Sequence, residues 1–402
     1  MIKKRINNFI ELIGPGFITA ALVLGPGSLT VTSKIGANYQ FFLLWLVPIC
    51  ILFMSVFCVI STRIGVNSDL SLIQLIKEKY GKFVCISIGL GLFVVTTMFQ
   101  TGNATGAGIV FSEMFGTSSV PWIIFFSATA GLLLFFKSFF KILEKVMIVM
   151  VIIMLLSFII TLIISKPNPL IIFRQFSFSI PEGSEFLAMA LVASTFSIAG
   201  AFYQSYLVQE KGYSKEQGKL SEKEGVSGII ILGLITSMVM LVAGSVLYPK
   251  GIQVNSATDM GKALEPIFGS YSTIIFMLGL FAASFSSLIG NAALGGVMIS
   301  DALGLGRKLE RKSVRFMIMI VIIIGASIAI IFGNLPIRLI IMAQGITIIV
   351  VPAIGLLIYL IALDKAKRKE LKLGTMIKAL SIMGIVLLFV LATVNTYSLF
   401  FK

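Results

Sequence analysis

Eleven apolar stretches of about 20 residues follow one another along this chain, each near the length of α-helix that crosses a ~30 Å hydrocarbon core. They lie near 10–38, 41–62, 83–112, 120–137, 144–165, 184–209, 225–248, 266–302, 313–333, 336–363 and 375–400. Inside a bilayer every backbone amide must be satisfied within the protein, so a helix is the form open to runs of this length. The chain reads as an all-α membrane protein of eleven transmembrane helices. A composition that is 57% apolar and only 12% charged leaves too little polar surface for a soluble domain.

Most of the 32 Lys and Arg residues fall in alternate loops: Lys3–Arg5, Arg63–Lys82, Lys137–Lys145, Lys211–Lys223, Arg307–Arg315 and Lys365–Lys378. The positive-inside rule makes that face cytoplasmic, with the amino terminus inside and, after an odd number of spans, the carboxyl terminus outside. The net charge of +15 is thus a topology signal lying against anionic lipid, not a nucleic-acid footprint. Cys50, Cys58 and Cys85 lack metal-ligand spacing. The amino-terminal segment runs into the first span without a small-x-small cleavage site and reads as retained. One membrane domain, 1–402, accounts for the chain, and the pattern is compatible with a monomer.

Within the first span stands "GPGS", Gly25, Pro26, Gly27 and Ser28, where a helix break costs most. Five spans later "ASTFSIAGAF" thins the apolar packing in the same way. Paired interruptions in two five-span halves, 10–165 and 184–363, with an eleventh helix at 375–400, predict an inverted-repeat transporter. Its broken helices 1 and 6 meet near mid-membrane, where unpaired amides and carbonyls face a cavity.

These residues resemble the Nramp family, which imports divalent transition metals with protons on the leucine-transporter fold. "GPGFITAALVLGPGS" is similar to its first span, "FLAMALVASTFSIAGAFYQSYL" to its sixth, "AASFSSLIGNAALGGVM" to its eighth and "IIMAQGITIIVVP" to its tenth. The resemblance covers nearly the whole chain, and the departures fall where that family does its chemistry. Gly25 stands at the metal-binding Asp, Ser28 at the Asn, Ser197 at the Met, Ile198 at the Pro, Ala199 at the first His and Gln204 at the second. On the proton route, Gln100 and Asn103 replace two acids. The chain contains no histidine at all.

The substrate-binding candidates are therefore Gly25, Pro26, Gly27, Ser28, Ser197, Ala199, Gly200, Gln204 and Gln344. Thr19, Ser286 and Ser287 occupy the region where sodium-coupled relatives of the fold hold their ion, which makes sodium the candidate coupling ion; no other cofactor is implied. Lys34, about 9 Å beyond Ser28 at 1.5 Å per residue, is a vestibule residue that draws anions or a lysine snorkelling to the headgroups. A bare divalent ion entering a cavity without carboxylate, imidazole or thioether loses solvation that neutral donors repay poorly. Helix amino ends and hydroxyls suit a small oxyanion. The expectation from the residues is thus an alternating-access importer of a small inorganic anion, bicarbonate first, with no proton coupling and no enzymatic activity. The rival is a divalent cation carrier of largely hydrated magnesium, or of manganese. A sensor or scaffold that has lost its substrate site is a third reading.

Overall fold

The computed structural model describes residues 25–133, 137–176, 178–333 and 336–401. All regular structure among them is helical. We number the main helices α1 Pro26–Tyr39, α2 Leu46–Val66, α3 Leu72–Phe115, α4 Ser119–Leu133, α5 Lys137–Ser165, α6 Glu185–Thr195 and α7 Ile198–Glu210. They continue with α8 Gly218–Val246, α9 Ser272–Ala302, α10 Lys312–Ile331, α11 Pro336–Thr347, α12 Val351–Lys367 and α13 Thr375–Phe401.

Eight helices or helix runs among the described residues are long and apolar enough to cross a membrane. The shorter α4, α5, which lies at 103° to the short helix Pro169–Gln175 after it, and α1, whose preceding residues lie outside the described set, fall at the remaining three of the eleven expected spans. The long α3 and α9 pack on each other along the middle of the bundle, with α10 against α3 and α1 against α8. Gly106 permits the central contact, since a methyl group there would meet Pro26 and Ser284.

Local chemistry explains the ends that matter. α3 starts with a capping box: Ser71 Oγ accepts from Gln74 N at 3.2 Å and Gln74 Oε1 accepts from Ser71 N at 3.2 Å. Gly81, at φ +84°, then turns the chain between a short basic-face segment and the span proper, so Lys77 and Lys79 stand on a helix instead of the loop expected from sequence. A second departure lies in the tenth span, which was read as continuous over 336–363: α11 ends at Thr347 and α12 begins at Val351. The tenth span therefore carries an interruption of its own. Pro352, in the first turn of α12, fits there because its missing N–H would find no helical partner anyway.

Candidate functional site

The start of α1 and the interruption between α6 and α7 meet; the residues before Gly25, which would form the other half of the first expected break, lie outside the described residues. Gly25 is extended (φ −98°, ψ 176°) and Pro26 opens α1, the position where a proline's fixed φ already suits a helix. Across from it, α6 stops at Thr195, and Phe196 (ψ 65°) and Ser197 (ψ 90°) form a two-residue interruption before α7. Phe196 is fully buried, with ring centroids 5.8 Å from Phe53 and 5.6 Å from Phe57, so apolar packing on α2 anchors the break.

A cavity of about 190 Å³ lies where these ends converge. Of the candidates from sequence, Gly25, Gly27, Ser28, Asn103, Ser197, Ala199, Gly200, Gln204, Ser287 and Gln344 line it. A methyl group on Gly25 would stand 3.2 Å from Asn103 Oδ1 and 3.7 Å from Ser287 Oγ, which places both side chains beside the break. One on Gly27 would overlap the Gln344 amide, so Gln344 on α11 reaches α1 only because Gly27 has no side chain. Gln204 lies farther down α7, near Gly225 and Cys58.

Other candidates do not reach the cavity. Pro26 packs on Gly106, and Ser286 Oγ donates to the Ala283 carbonyl of its own helix at 3.2 Å. Gln100 is fully buried against Gly325 with both amide atoms unpartnered. Thr19 lies outside the described residues. Lys34 Nζ donates to the Val254 carbonyl at 3.1 Å, which ties α1 to the segment after α8.

Sequence reasoning missed Met54, Cys58, Tyr203 and Asn291. Met54 and Cys58, one turn apart on α2, bring a thioether and a thiol to the cavity, which corrects the expectation that it offers no sulfur. Asn291, one turn beyond Ser287 on α9, lines it too, and its Nδ2 donates to the Thr96 carbonyl at 3.4 Å. The spacing Ser287, Asn291 was the available signal: two polar residues at i and i+4 in an apolar span share a face.

The anion reading depended on free amides, and several are already committed. Gly200 N donates to Ser197 Oγ at 3.3 Å, Ala201 N to the Ser197 carbonyl at 2.9 Å, and Leu29 N to the Gly25 carbonyl at 3.4 Å. Among the described residues no lysine or arginine lines the cavity, and no group of three His, Cys, Asp or Glu gathers anywhere.

The opening is one-sided. Thr30, Val31, Thr32 and Ser33 of α1 are buried, while Tyr203, Leu207, Asn291 and Leu294 retain partial exposure toward the basic loops. On that face Asp301 binds three elements together. It accepts from Ser71 Oγ at 2.5 Å, Tyr206 Oη at 2.7 Å and Gln74 Nε2 at 3.1 Å.

The family described as natural resistance-associated macrophage protein-like (Nramp) matches residues 16–399. The chain belongs to this family. It is similar to the divalent metal cation transporter MntH of Caldanaerobacter subterraneus subsp. tengcongensis, 23% identical over 91% of this chain and 88% of that one. MntH of Pectobacterium carotovorum subsp. carotovorum is 24% identical over 97% and 94%. In structure, the chain resembles the Eremococcus coleocola manganese transporter bound to an aromatic bis-isothiourea compound, with a TM-score of 0.76 at 16% identity, covering 96% of this chain and 86% of that one. It also resembles the nucleobase-cation-symport-1 family transporter Mhp1, with a TM-score of 0.61 at 12% identity over 96% and 90%. The leucine-transporter fold and the role of a multi-pass membrane transporter, not an enzyme, follow.

The expectation of a bicarbonate carrier is overturned: the relatives are named as divalent metal cation transporters, and none of these comparisons points to an anion substrate or to symport of one. The physical error was one-sided. Missing carboxylates were counted against a cation, while a cavity without a basic side chain serves a dehydrated anion no better.

Proposed function

We propose that this Nramp protein carries a divalent metal cation, manganese or magnesium, across the plasma membrane by alternating access, and that the ion keeps most of its water shell at the site. Hydroxyl and carboxamide oxygens of Ser28, Asn103, Ser197, Gln204 and Gln344 around a cavity of about 190 Å³ carry this reading. Water bound to a divalent cation is a strong hydrogen-bond donor, and carbonyl and hydroxyl oxygens accept from it without stripping the ion. Several waters at ~30 Å³ each fit in the space, and magnesium in particular gives up its waters reluctantly. The Met54 thioether adds one soft contact of a kind that manganese tolerates better than magnesium.

If the basic loops are cytoplasmic, as the positive-inside rule expects, the open side of the cavity faces the cytoplasm. That orientation supports reading this arrangement as inward-open, with Lys34 and the buried residues of α1 on the closed side. An interior-negative potential then favours entry by ~4.6 kcal/mol per divalent ion at 100 mV.

Purified protein in liposomes with an entrapped manganese- or magnesium-sensitive dye tests this. Saturable entry of either ion, reduced at least tenfold by Gln344→Ala, is expected. Entry no faster than in protein-free liposomes for both ions refutes it.

A further inference from the structure

Between the end of α12 and the start of α13, on the basic face, a second cavity of about 620 Å³ is lined by Lys367, Lys369, Lys372 and Lys378, with Leu371 and Gly374. The two carboxylates of this segment are committed elsewhere. Asp364 pairs with Lys79 at 2.7 Å and Arg368 at 3.2 Å, and Glu370 with Lys365 at 2.7 Å. Among the described residues no carboxylate stands within ion-pair distance of the four lining lysines, and Asp364, which also feels the charge of Lys367, is already shared between Lys79 and Arg368, so the hollow keeps a net positive charge.

The turn that gathers them is an uncommon one. Lys369 sits at φ +62°, a conformation glycine normally supplies after a helix, and there Lys369 N donates to the Ala366 carbonyl at 3.1 Å and Glu370 N to the Lys365 carbonyl at 2.9 Å. Where a glycine would close the helix at less strain, the chain puts a fourth lysine on the rim. Gly374 lies at the amino end of α13, whose first turn carries no acidic residue.

The face of α13 above Lys378 is apolar and exposed: Ile382, Met383, Val386 and Phe389 follow at 4, 5, 8 and 11 residues. Eleven residues rise about 16 Å, the depth of one leaflet of a ~30 Å core. A charged hollow at the headgroup level thus continues into an apolar strip one acyl chain long.

We propose that this junction is a binding site for an anionic phospholipid, its phosphodiester among the four lysines and an acyl chain along the exposed strip of α13. Charge complementarity selects the headgroup, and continuity with the strip selects a lipid over a soluble phosphate. The site concerns the α12–α13 junction, whichever ion the protein carries.

Native mass spectrometry of the intact protein, with added phosphatidylglycerol or phosphatidylcholine, tests it. Phosphatidylglycerol is expected to bind at least tenfold more tightly, with a loss of about fivefold for each lysine removed among Lys367→Ala, Lys369→Ala, Lys372→Ala and Lys378→Ala. Removing Lys215, Lys219 and Lys223, basic residues of the same face outside the hollow, is expected to change affinity by less than about twofold in total. Lys378→Gln, on the helix and away from the strained turn, repeats the fivefold loss should the loop variants fold poorly. Equal loss from the control lysines, unchanged affinity in Lys378→Gln, or displacement of the lipid by millimolar inorganic phosphate overturns the proposal.

Discussion

Gly25 stands where the resemblance puts the family's metal-binding carboxylate, and Gly25→Asp tests whether a cation occupies the cavity. The structure accepts the change: Gly25 precedes α1 with extended φ and ψ, the helix-capping position that Asp favours, and the new Cβ has its nearest contact, 3.2 Å, with Asn103 Oδ1 on a side chain that can shift. A carboxylate about 5 Å from a divalent ion, one water between them, contributes about 1.7 kcal/mol at the dielectric of water and about four times that at an effective value of 20. Even the lower figure is more than tenfold in affinity. Calorimetric titration of the purified variant with manganese is expected to show at least that gain, with Gly25→Asn, a neutral side chain of the same size, within about twofold of wild type. An unchanged manganese affinity in a Gly25→Asp variant with a wild-type melting temperature refutes a cation at this cavity.

Gly27→Val fills the space in which the Gln344 amide rests, so ion entry in liposomes is expected to fall at least tenfold; a smaller drop removes Gln344 from the site. Asp301→Ala leaves Ser71, Gln74 and Tyr206 without their shared acceptor and costs about 3 kcal/mol, read as a lowered melting temperature, whereas Tyr206→Phe costs about 1 kcal/mol; equal effects contradict the three-way network. Because no carboxylate, imidazole or amine lines the cavity among the described residues, manganese affinity is expected to vary by less than about twofold between about pH 6 and pH 8. A sigmoidal change centred in that range points to a titrating ligand elsewhere.

Legibility in the sequence followed the kind of signal each residue carries. The opening of α1 at Gly25 and Pro26 was legible because glycine and proline dictate backbone geometry wherever they stand. The interruption at Phe196–Ser197 was signalled by the small and polar residues around it, Ser194, Thr195, Ser197, Ala199 and Gly200, and not by Phe196, which has no intrinsic tendency to end a helix and is held by Phe53 and Phe57 from another element. The interruption after Thr347 escaped notice because Ile348, Ile349 and Val350 continue the apolar run, and only Pro352 marks it. Met54 and Cys58 escaped for a different reason. A helix that is apolar all round gives no sign of which face turns to a cavity and which to lipid or a neighbouring helix.

The neutrality of the site constrains how any ion passes through it. Counting ligands from the sequence ranked a bare metal below an anion because carboxylates are missing, and left a largely hydrated cation as the rival reading. A bare ion of either sign fails on the same ground, since among the described residues neither Lys nor Asp lines the cavity to replace lost hydration. Keeping the water shell removes that penalty for a cation, and polar side chains then need only accept hydrogen bonds from the shell, which Ser28, Asn103, Ser197, Gln204 and Gln344 are equipped to do. A hydrated ion also needs width more than charge. Gly25 and Gly200 leave that width beside the starts of α1 and α7, Gly27 makes room for the Gln344 amide, and Ala199 is small where the resemblance puts the family's first histidine. Selectivity in such a site resides in hydrated size and in the shape of the cavity, so substitutions that narrow it without adding charge, Ala199→Leu among them, should suppress every transported ion together.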